Sequence, residues 1–333
     1  MKNIKFGIIG TGLMAEIYSD ILAQKNECQL VAVTGNTVEK TKIFAKKYNI
    51  QSYFNSSYEE MFINHPEIDS VIIATPEWVR IDPVKLSIKY DKNILLEKPF
   101  SSNFEDAMVL FEMLKNYKRV FDICHVLRYS PRFSALKKSI DNNDIGHIKN
   151  IYARRNSNNE RVKRVLGKTD LAFWLTPHDI DIMRWVTNSE VKSVYAFSRN
   201  KLKSEDDHLT VNLKFENNVD AVLQILWGFP PVSNLSRQSC FEIWGSDGYI
   251  DLEDYRMNIN IYKRDNISFS YDTYEEFKIN SINKGIFENL ISSFIKRVID
   301  LDITKNNIIL TDSFKSIEVC DKISRSIKID KKL

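Results

Sequence analysis

Ile4-Lys5-Phe6-Gly7-Ile8-Ile9-Gly10-Thr11-Gly12-Leu13-Met14-Ala15 is the stretch that decides the fold. Its first half, Ile4–Ile9, is a short apolar run suited to a buried strand. Its second half opens a helical pattern, Leu13–Leu22, in which Leu13, Ile17 and Ile21 share a face with Met14 and Tyr18. Between them stands Gly10-x-Gly12-x-x-Ala15. Gly10 permits the tight turn, Gly12 lets backbone approach a pyrophosphate, and Ala15 still allows close packing of helix on strand. The helix N-terminus then offers unpaired N–H groups and the positive end of its dipole to the phosphates. A bare glycine pattern says little. With a strand before it and a helix after it, the pattern predicts a dinucleotide turn contacted through Gly10, Thr11, Gly12, Leu13 and Met14.

The alternation continues outward from this turn. Strands are expected at Leu30–Val33, Ser70–Ala74, Asn93–Leu96 and Val120–Ile123, with helical patterns at Val38–Tyr48, Pro83–Tyr90 and Asn103–Tyr117. Ser57-x-x-Glu60 and Ser102-x-x-Glu105 read as capping boxes. Strands alternating with helices predict a doubly wound parallel α/β sheet covered on both faces. After about His125 the rhythm changes. A helix starts near Pro131, and longer strands follow at Ile148–Arg155, Val191–Ser198, Leu209–Phe215, Val219–Trp227 and Ser239–Trp244. Few helices separate the last of these, which predicts a large open, mostly antiparallel sheet in an α+β domain. A closing helix, Asp312–Ser326, buries Phe314, Ile317, Val319 and Ile323 in part. The expected division is 1–124 for the dinucleotide domain and 125–333 for a substrate and oligomerisation domain, with helix 312–326 able to pack back on the first.

Composition excludes more than it proposes. The 333 residues carry 47 Lys plus Arg against 44 Asp plus Glu, so no large field favours nucleic acid or an anionic membrane. Cys28, Cys124, Cys240 and Cys320 are scattered, suggesting reduced thiols rather than a disulfide framework or a metal site. No apolar run approaches the roughly 20 residues that span a bilayer. The strand beginning at Ile4 leaves no room for a signal peptide, so a soluble, cytoplasmic protein is expected.

Three further positions carry chemistry. At the end of the second strand an NAD enzyme usually places an acid on the ribose 2′-hydroxyl. Here Thr34-Gly35-Asn36-Thr37 has no carboxylate before Glu39; Gly35 sits where the acid would, and Asn36, Thr37 and Lys40 could donate to a phosphate. This leans slightly to NADP over NAD. Next, Glu97-Lys98-Pro99 follows the strand Asn93–Leu96, at the end of a parallel sheet where ligands bind. A lysine there could bond a substrate hydroxyl and, with its pKa lowered by burial, pass a proton. Pro99 allows a cis peptide. Third, Thr176-Pro177-His178-Asp179-Ile180-Asp181 reads as a helix start, with Thr176 and Asp179 as the capping pattern and Pro177 in the first helical position. His178 then lies in the first turn, where the dipole disfavours imidazolium and leaves the ring ready to accept an alcohol proton. Asp181, three residues on, could orient the ring or offset the dipole.

Together these residues resemble the glucose–fructose oxidoreductase/inositol dehydrogenase (Gfo/Idh/MocA) family. The resemblance covers nearly the whole chain through Gly10-x-Gly12-x-x-Ala15, Ala74-Thr75-Pro76, Glu97-Lys98-Pro99, His178-Asp179-Ile180-Asp181, Phe241 to Gly248, and the helix ending Ser324-Arg325-Ser326. It implies a Rossmann domain binding NAD or NADP, with Thr75, Pro76, Glu97 and Lys98 beside the cofactor. Lys98 would hold and help deprotonate the substrate hydroxyl, and His178 would be the main acid/base. It also implies assembly as a homodimer or homotetramer. Two positions depart from the family pattern. An Asp four residues before the motif histidine is replaced by Trp174, so Asp170 or Asp181 substitutes or nothing does, and a histidine after the Thr-Pro turn is replaced by Arg80. Arg128 and Tyr129 are cleft candidates by the same resemblance. The basic run Arg154 to Arg164, Arg155 included, could grip a substrate carboxylate or phosphate. The expected activity is dehydrogenation of a secondary alcohol on a sugar, polyol or derivative, with no metal. A redox-neutral, glycosidase-like enzyme using tightly held NAD, or a cofactor-binding regulator, are the alternatives.

Overall fold

A computed structural model describes residues 3–55, 57–158, 168–169, 171–199, 207–229, 237–253, 258–263, 268–272, 276–279 and 282–329. The chain divides into two compact units. The first takes residues 1–126 and 276–314, the second 127–275 and 315–333.

In the first unit six strands alternate with helices: β1 (Ile4–Ile9), α1 (Leu13–Leu22), β2 (Cys28–Gly35), α2 (Val38–Lys47), β3 (Ser52–Asn55), α3 (Tyr58–Asn64), β4 (Ser70–Ile73), α4 (Ile81–Lys89), β5 (Asn93–Leu96), α5 (Phe104–Leu114) and β6 (Phe121–Ile123). All pairs are parallel, in the order β3-β2-β1-β4-β5-β6. That is the doubly wound order, with its reversal between β1 and β4. The central strands read Ser-Val-Ile-Ile and Asn-Ile-Leu-Leu, and β4 and β5 are buried along their whole length, as helices on both faces require. Ser57 caps α3 by accepting the Glu60 N–H at 3.4 Å. The second capping box falls one residue later than expected. Asn103, not Ser102, accepts from Asp106 N–H at 2.8 Å, and its amide returns a bond to the Asp106 carboxylate at 2.9 Å.

The first junction lies at 126/127, close to the expected 124/125, and the segment 276–314, which the expected division kept within 125–333, groups with the first unit. This segment adds a two-stranded ribbon, β15 (Glu276–Ile279) with β16 (Ile282–Gly285), and α9 (Ile286–Asp300). Leu290, Phe294 and Val298 recur at helical spacing on the buried face of α9, and the Phe294 ring meets Phe6 of β1 at 6.4 Å. Arg297 then pairs with buried Asp122 of β6 at 2.9 Å and bonds Asn306 at 2.8 Å. These contacts, long-range in sequence, assign the segment to the first unit. The closing helix α10 (Asn306–Ile329) is longer than expected and contributes residues to both units.

The second unit is built on eight strands. β7 (Ile148–Asn158), β8 (Val191–Ser198), β9 (Asp207–Phe215), β10 (Asp220–Phe229), β11 (Arg237–Gly245), β12 (Gly248–Glu253), β13 (Asn258–Lys263) and β14 (Ser268–Asp272) order as β14-β13-β12-β11-β7-β10-β9-β8. Every pair is antiparallel except β7 with β10. Alternation is clean where it can be followed: Leu209, Val211 and Leu213 are buried, as are Ala221, Leu223 and Ile225. The helices α6 (Pro131–Asp141), α7 (Leu171–Trp174) and α8 (Thr176–Thr187) complete the unit, Phe133 of α6 meeting Phe241 of β11 edge-on at 5.7 Å. Among the described residues no helix is long and apolar enough to cross a membrane.

Candidate functional site

Four neighbouring parallel strands end on one edge of the first sheet: β2 at Gly35, β1 at Ile9, β4 at Ile73 and β5 at Leu96. The loops leaving that edge carry Gly10–Met14, Gly35–Thr37, Thr75-Pro76 and Glu97-Lys98. The strand-order reversal between β1 and β4 opens the crevice where such sheets bind ligands.

The three glycines there have different reasons. Gly10 has φ +112°, and a Cβ on it would stand 2.6 Å from the Ala74 carbonyl oxygen. The fold alone demands glycine at that turn. At Gly12, with φ −87°, a Cβ would meet nothing within 4 Å. Packing does not demand that glycine. Gly12 is also the N-cap of α1 and supplies no side-chain cap, while Leu13 beside it is 60% exposed. Open space before an uncapped ten-residue helix is what a pyrophosphate would fill, so these residues fit a dinucleotide. Gly35 is different again. A Cβ there would stand 2.4 Å from Thr41 Oγ1 and 2.9 Å from Thr11 Cγ2. A side chain at this position would have to displace Thr41, whose hydroxyl donates to the Thr37 carbonyl at 2.7 Å, and Thr11.

Lys98 leaves the end of β5 half-buried, and its backbone is held on both sides. Its N–H donates to Glu97 Oε2 at 2.6 Å, its carbonyl accepts from Arg80 Nη2 at 3.5 Å, and the Lys98–Pro99 peptide is cis. Glu97 is itself buried. Burial pushes its carboxyl above the ordinary range, and the charges of Lys98 and Arg80 pull it partly back. Burial likewise lowers the Arg80 guanidinium, opposed by Glu97 and Glu77. Tyr18 and Cys124 share this buried surrounding, and burial raises both. Glu97 thus faces both cations, and Glu77 also acts on Arg80.

In the second unit the chemistry gathers around the start of α8. Its N-cap is Leu175, and the His178 N–H closes the first turn on the Leu175 carbonyl at 3.2 Å. His178 is in the first turn, as expected, but the capping pattern is not used. Thr176 instead donates to the Leu171 carbonyl at 3.2 Å, tying α8 to α7. Asp179 is taken by Arg155 of β7, Nε to Oδ2 at 2.7 Å and Nη2 to Oδ1 at 2.9 Å. Asp181 is taken by Arg128, Nε to Oδ2 at 2.9 Å and Nη2 to Oδ1 at 2.7 Å. Both carboxylates are buried, so each needs such a partner. Two bidentate clamps therefore hold the helix turn just after His178 and fix the backbone that carries it.

These pairs revise several sequence expectations. The Asp181 carboxylate serves Arg128 rather than standing ready only for the His178 ring. Arg155 holds an internal carboxylate through one edge of its guanidinium. Tyr129 follows Arg128 in the single-turn helix Val126–Tyr129, and Trp174 ends α7 two residues before α8 begins. Asp170 and residues 159–164 of the basic run lie outside the described residues. The sequence pairs Asp179 with Thr176 as a cap, whereas the structure pairs it with Arg155. A signal was present: strand alternation puts Arg155 on the same face as buried Ile151 and Ala153, where a long cation needs a carboxylate.

The oxidoreductase family model with an NAD-binding Rossmann fold matches residues 4–125, which hold the glycine turn and Lys98. The GFO/IDH/MocA C-terminal domain model matches residues 133–251, which hold His178. The chain belongs to the GFO/IDH/MocA oxidoreductase family. Similar relatives include an oxidoreductase of Formosa agariphila, 27% identical over 301 residues and covering 86% of this chain and 90% of that one. Another is 2,7-anhydro-N-acetylneuraminate hydratase of Mediterraneibacter gnavus, 23% identical over 239 residues, covering 68% of this chain and 62% of the hydratase. Among solved structures, levoglucosan dehydrogenase in complex with NADH and levoglucosan matches with TM-score 0.83 at 16% identity, over 99% of this chain and 98% of that one. The fold of this family member is therefore the fold of that dehydrogenase.

Proposed function

We propose that this GFO/IDH/MocA member transfers hydride between a nicotinamide cofactor and a secondary alcohol of a sugar, polyol or sugar derivative. The observation that carries the reading is Lys98, held through both backbone atoms at the edge that also bears the dinucleotide turn. Gly12 and the uncapped start of α1 would hold the pyrophosphate, with Thr75 and Pro76 at the neighbouring strand end. Bound there, the nicotinamide would supply the hydride acceptor. Lys98 would donate a hydrogen bond to the reacting hydroxyl and favour its alkoxide. His178 would take the hydroxyl proton, from a helix start that its two neighbouring ion pairs hold still. Assembly as a homodimer or homotetramer belongs to the same reading and is checked by light scattering.

For the cofactor, the strand end supports NADP at least as readily as NAD. Gly35 leaves no carboxylate against a 2′-phosphate, and Asn36 and Thr37 follow it. Fluorescence titration with NADPH and NADH tests this: affinities within tenfold of each other support it, and NADH favoured by more than tenfold opposes it.

The activity itself is tested by mixing protein, NAD or NADP and a panel of polyols and sugars while following absorbance of the reduced cofactor. A second reading rests on Trp174, which puts an indole where the family pattern has a carboxylate, and on the likeness to a hydratase. In that reading tightly bound NAD is reduced and reoxidised within one turnover. Product formation from an anhydro sugar without net reduced cofactor would favour it.

A further inference from the structure

Arg80 is 3% exposed, and its guanidinium reaches three acceptors on two loops. Nη1 donates to the Ile73 carbonyl and to Thr75 Oγ1, both at 3.3 Å, and Nη2 donates to the Lys98 carbonyl at 3.5 Å. Ile73 and Thr75 stand at the end of β4, while Lys98 stands just past the end of β5. One side chain therefore crosses from the loop beside the dinucleotide turn to the loop that carries the lysine. Thr75 is fixed in turn by donating to the Val79 carbonyl at 2.5 Å, next in sequence to Arg80. The Arg80 Nε is buried with no partner. Leaving a charged donor unpaired is costly, so the fork is spent on the two loops at the expense of its own third edge.

We propose that Arg80 is a positioning residue for Lys98, bracing the β4 and β5 loop ends so that the lysine side chain leaves the backbone in one direction. A lysine at position 80 would carry the charge but reach the acceptors as a single point, and a methionine would fill the space without either. The residues facing this group are Glu97, which both cations share, Glu77, Tyr18 and Cys124. The proposal rests on the reading of Lys98 for its catalytic meaning, though not for its test.

The test is competitive acetylation of the full-length protein with acetic anhydride over a pH series, read lysine by lysine by mass spectrometry. The series separates each lysine's apparent pKa from its limiting reactivity. Buried Lys92, whose Nζ donates to the Pro66 and Ile68 carbonyls at 2.8 and 2.7 Å in the same unit, is the internal control. In Arg80→Met the limiting reactivity of Lys98 is expected to rise threefold or more, with Lys92 unchanged. A change of less than threefold at Lys98, or an equal rise at Lys92, would overturn the brace. Should Arg80→Met fail to fold, Arg80→Lys keeps the buried charge, loses the fork, and is judged by the same thresholds. If Lys98→Ala retains wild-type turnover, the catalytic reading falls, and acetylation still decides the brace.

Discussion

Asp181 receives the Arg128 guanidinium through two parallel hydrogen bonds, at 2.9 and 2.7 Å, while the guanidinium carbon lies 5.6 Å from the Trp185 ring centre. The pair joins the single-turn helix at Val126–Tyr129 to the first turns of α8, the helix that carries His178. Arg128→Ala removes the bidentate partner of a buried carboxylate, which costs about 3 kcal/mol, the low end for such pairs because Arg128 is partly exposed. Urea unfolding measures it. A loss under about 0.5 kcal/mol, the scale of a neutral surface change, would show that the pair does not anchor the helix.

Gly12→Ala separates binding from folding. The new methyl meets no protein atom within 4 Å, and the backbone there suits alanine, so stability should stay within about 0.5 kcal/mol of wild type. Affinity for NADH should drop at least tenfold, about 1.4 kcal/mol, because the methyl enters the space assigned to the pyrophosphate. Unchanged NADH titration would move the cofactor away from this turn.

Gly35→Asp is the obvious substitution for installing an NAD-type acid, and it should fail. Thr41 and Thr11 crowd the Cβ before any carboxylate is placed. Overpacking of this kind costs about 1–3 kcal/mol, and NADH and NADPH should both bind more weakly. A switch to strong NADH preference with intact stability would contradict this account of Gly35.

The sequence made the first unit legible because its central strands are buried on both faces and punctuated by turns. β1, α1 and β5 lie where the apolar runs place them. β3 was not expected; Ser52-Tyr-Phe-Asn is an edge strand whose alternate residues are exposed, and four residues give no period. α9 was missed, though its apolar spacing is strong, because its partners lie in β1 and β6, far away in sequence. The same reason hid the site's internal economy. Lys98 and His178 announce themselves through local motifs, whereas Arg80 with Lys98, Arg155 with Asp179 and Arg128 with Asp181 meet only after folding. A charge seen in sequence cannot show which part of it is already spent.

Glu97 gives a pH signature. Burial raises its carboxyl pKa in the folded protein, so the folded state holds a proton that the unfolded chain releases. Stability therefore falls as pH rises from the ordinary carboxylate range through the raised value. The stability of Glu97→Gln relative to wild type should therefore rise as pH passes upward through that window. Paired urea melts at pH 8 and pH 4 check the sign; a relative stability greater at pH 4 would reverse it.

The central claim is that Lys98 serves hydride transfer on a sugar-like alcohol. Its most direct measurement is reduced-cofactor absorbance during incubation of wild type and Lys98→Ala with NAD or NADP and a polyol panel, with NADH affinity determined for both. The account predicts growing absorbance with at least one polyol in wild type, lost by a hundredfold or more in Lys98→Ala while NADH affinity changes less than threefold. Equal rates in the two proteins would contradict it.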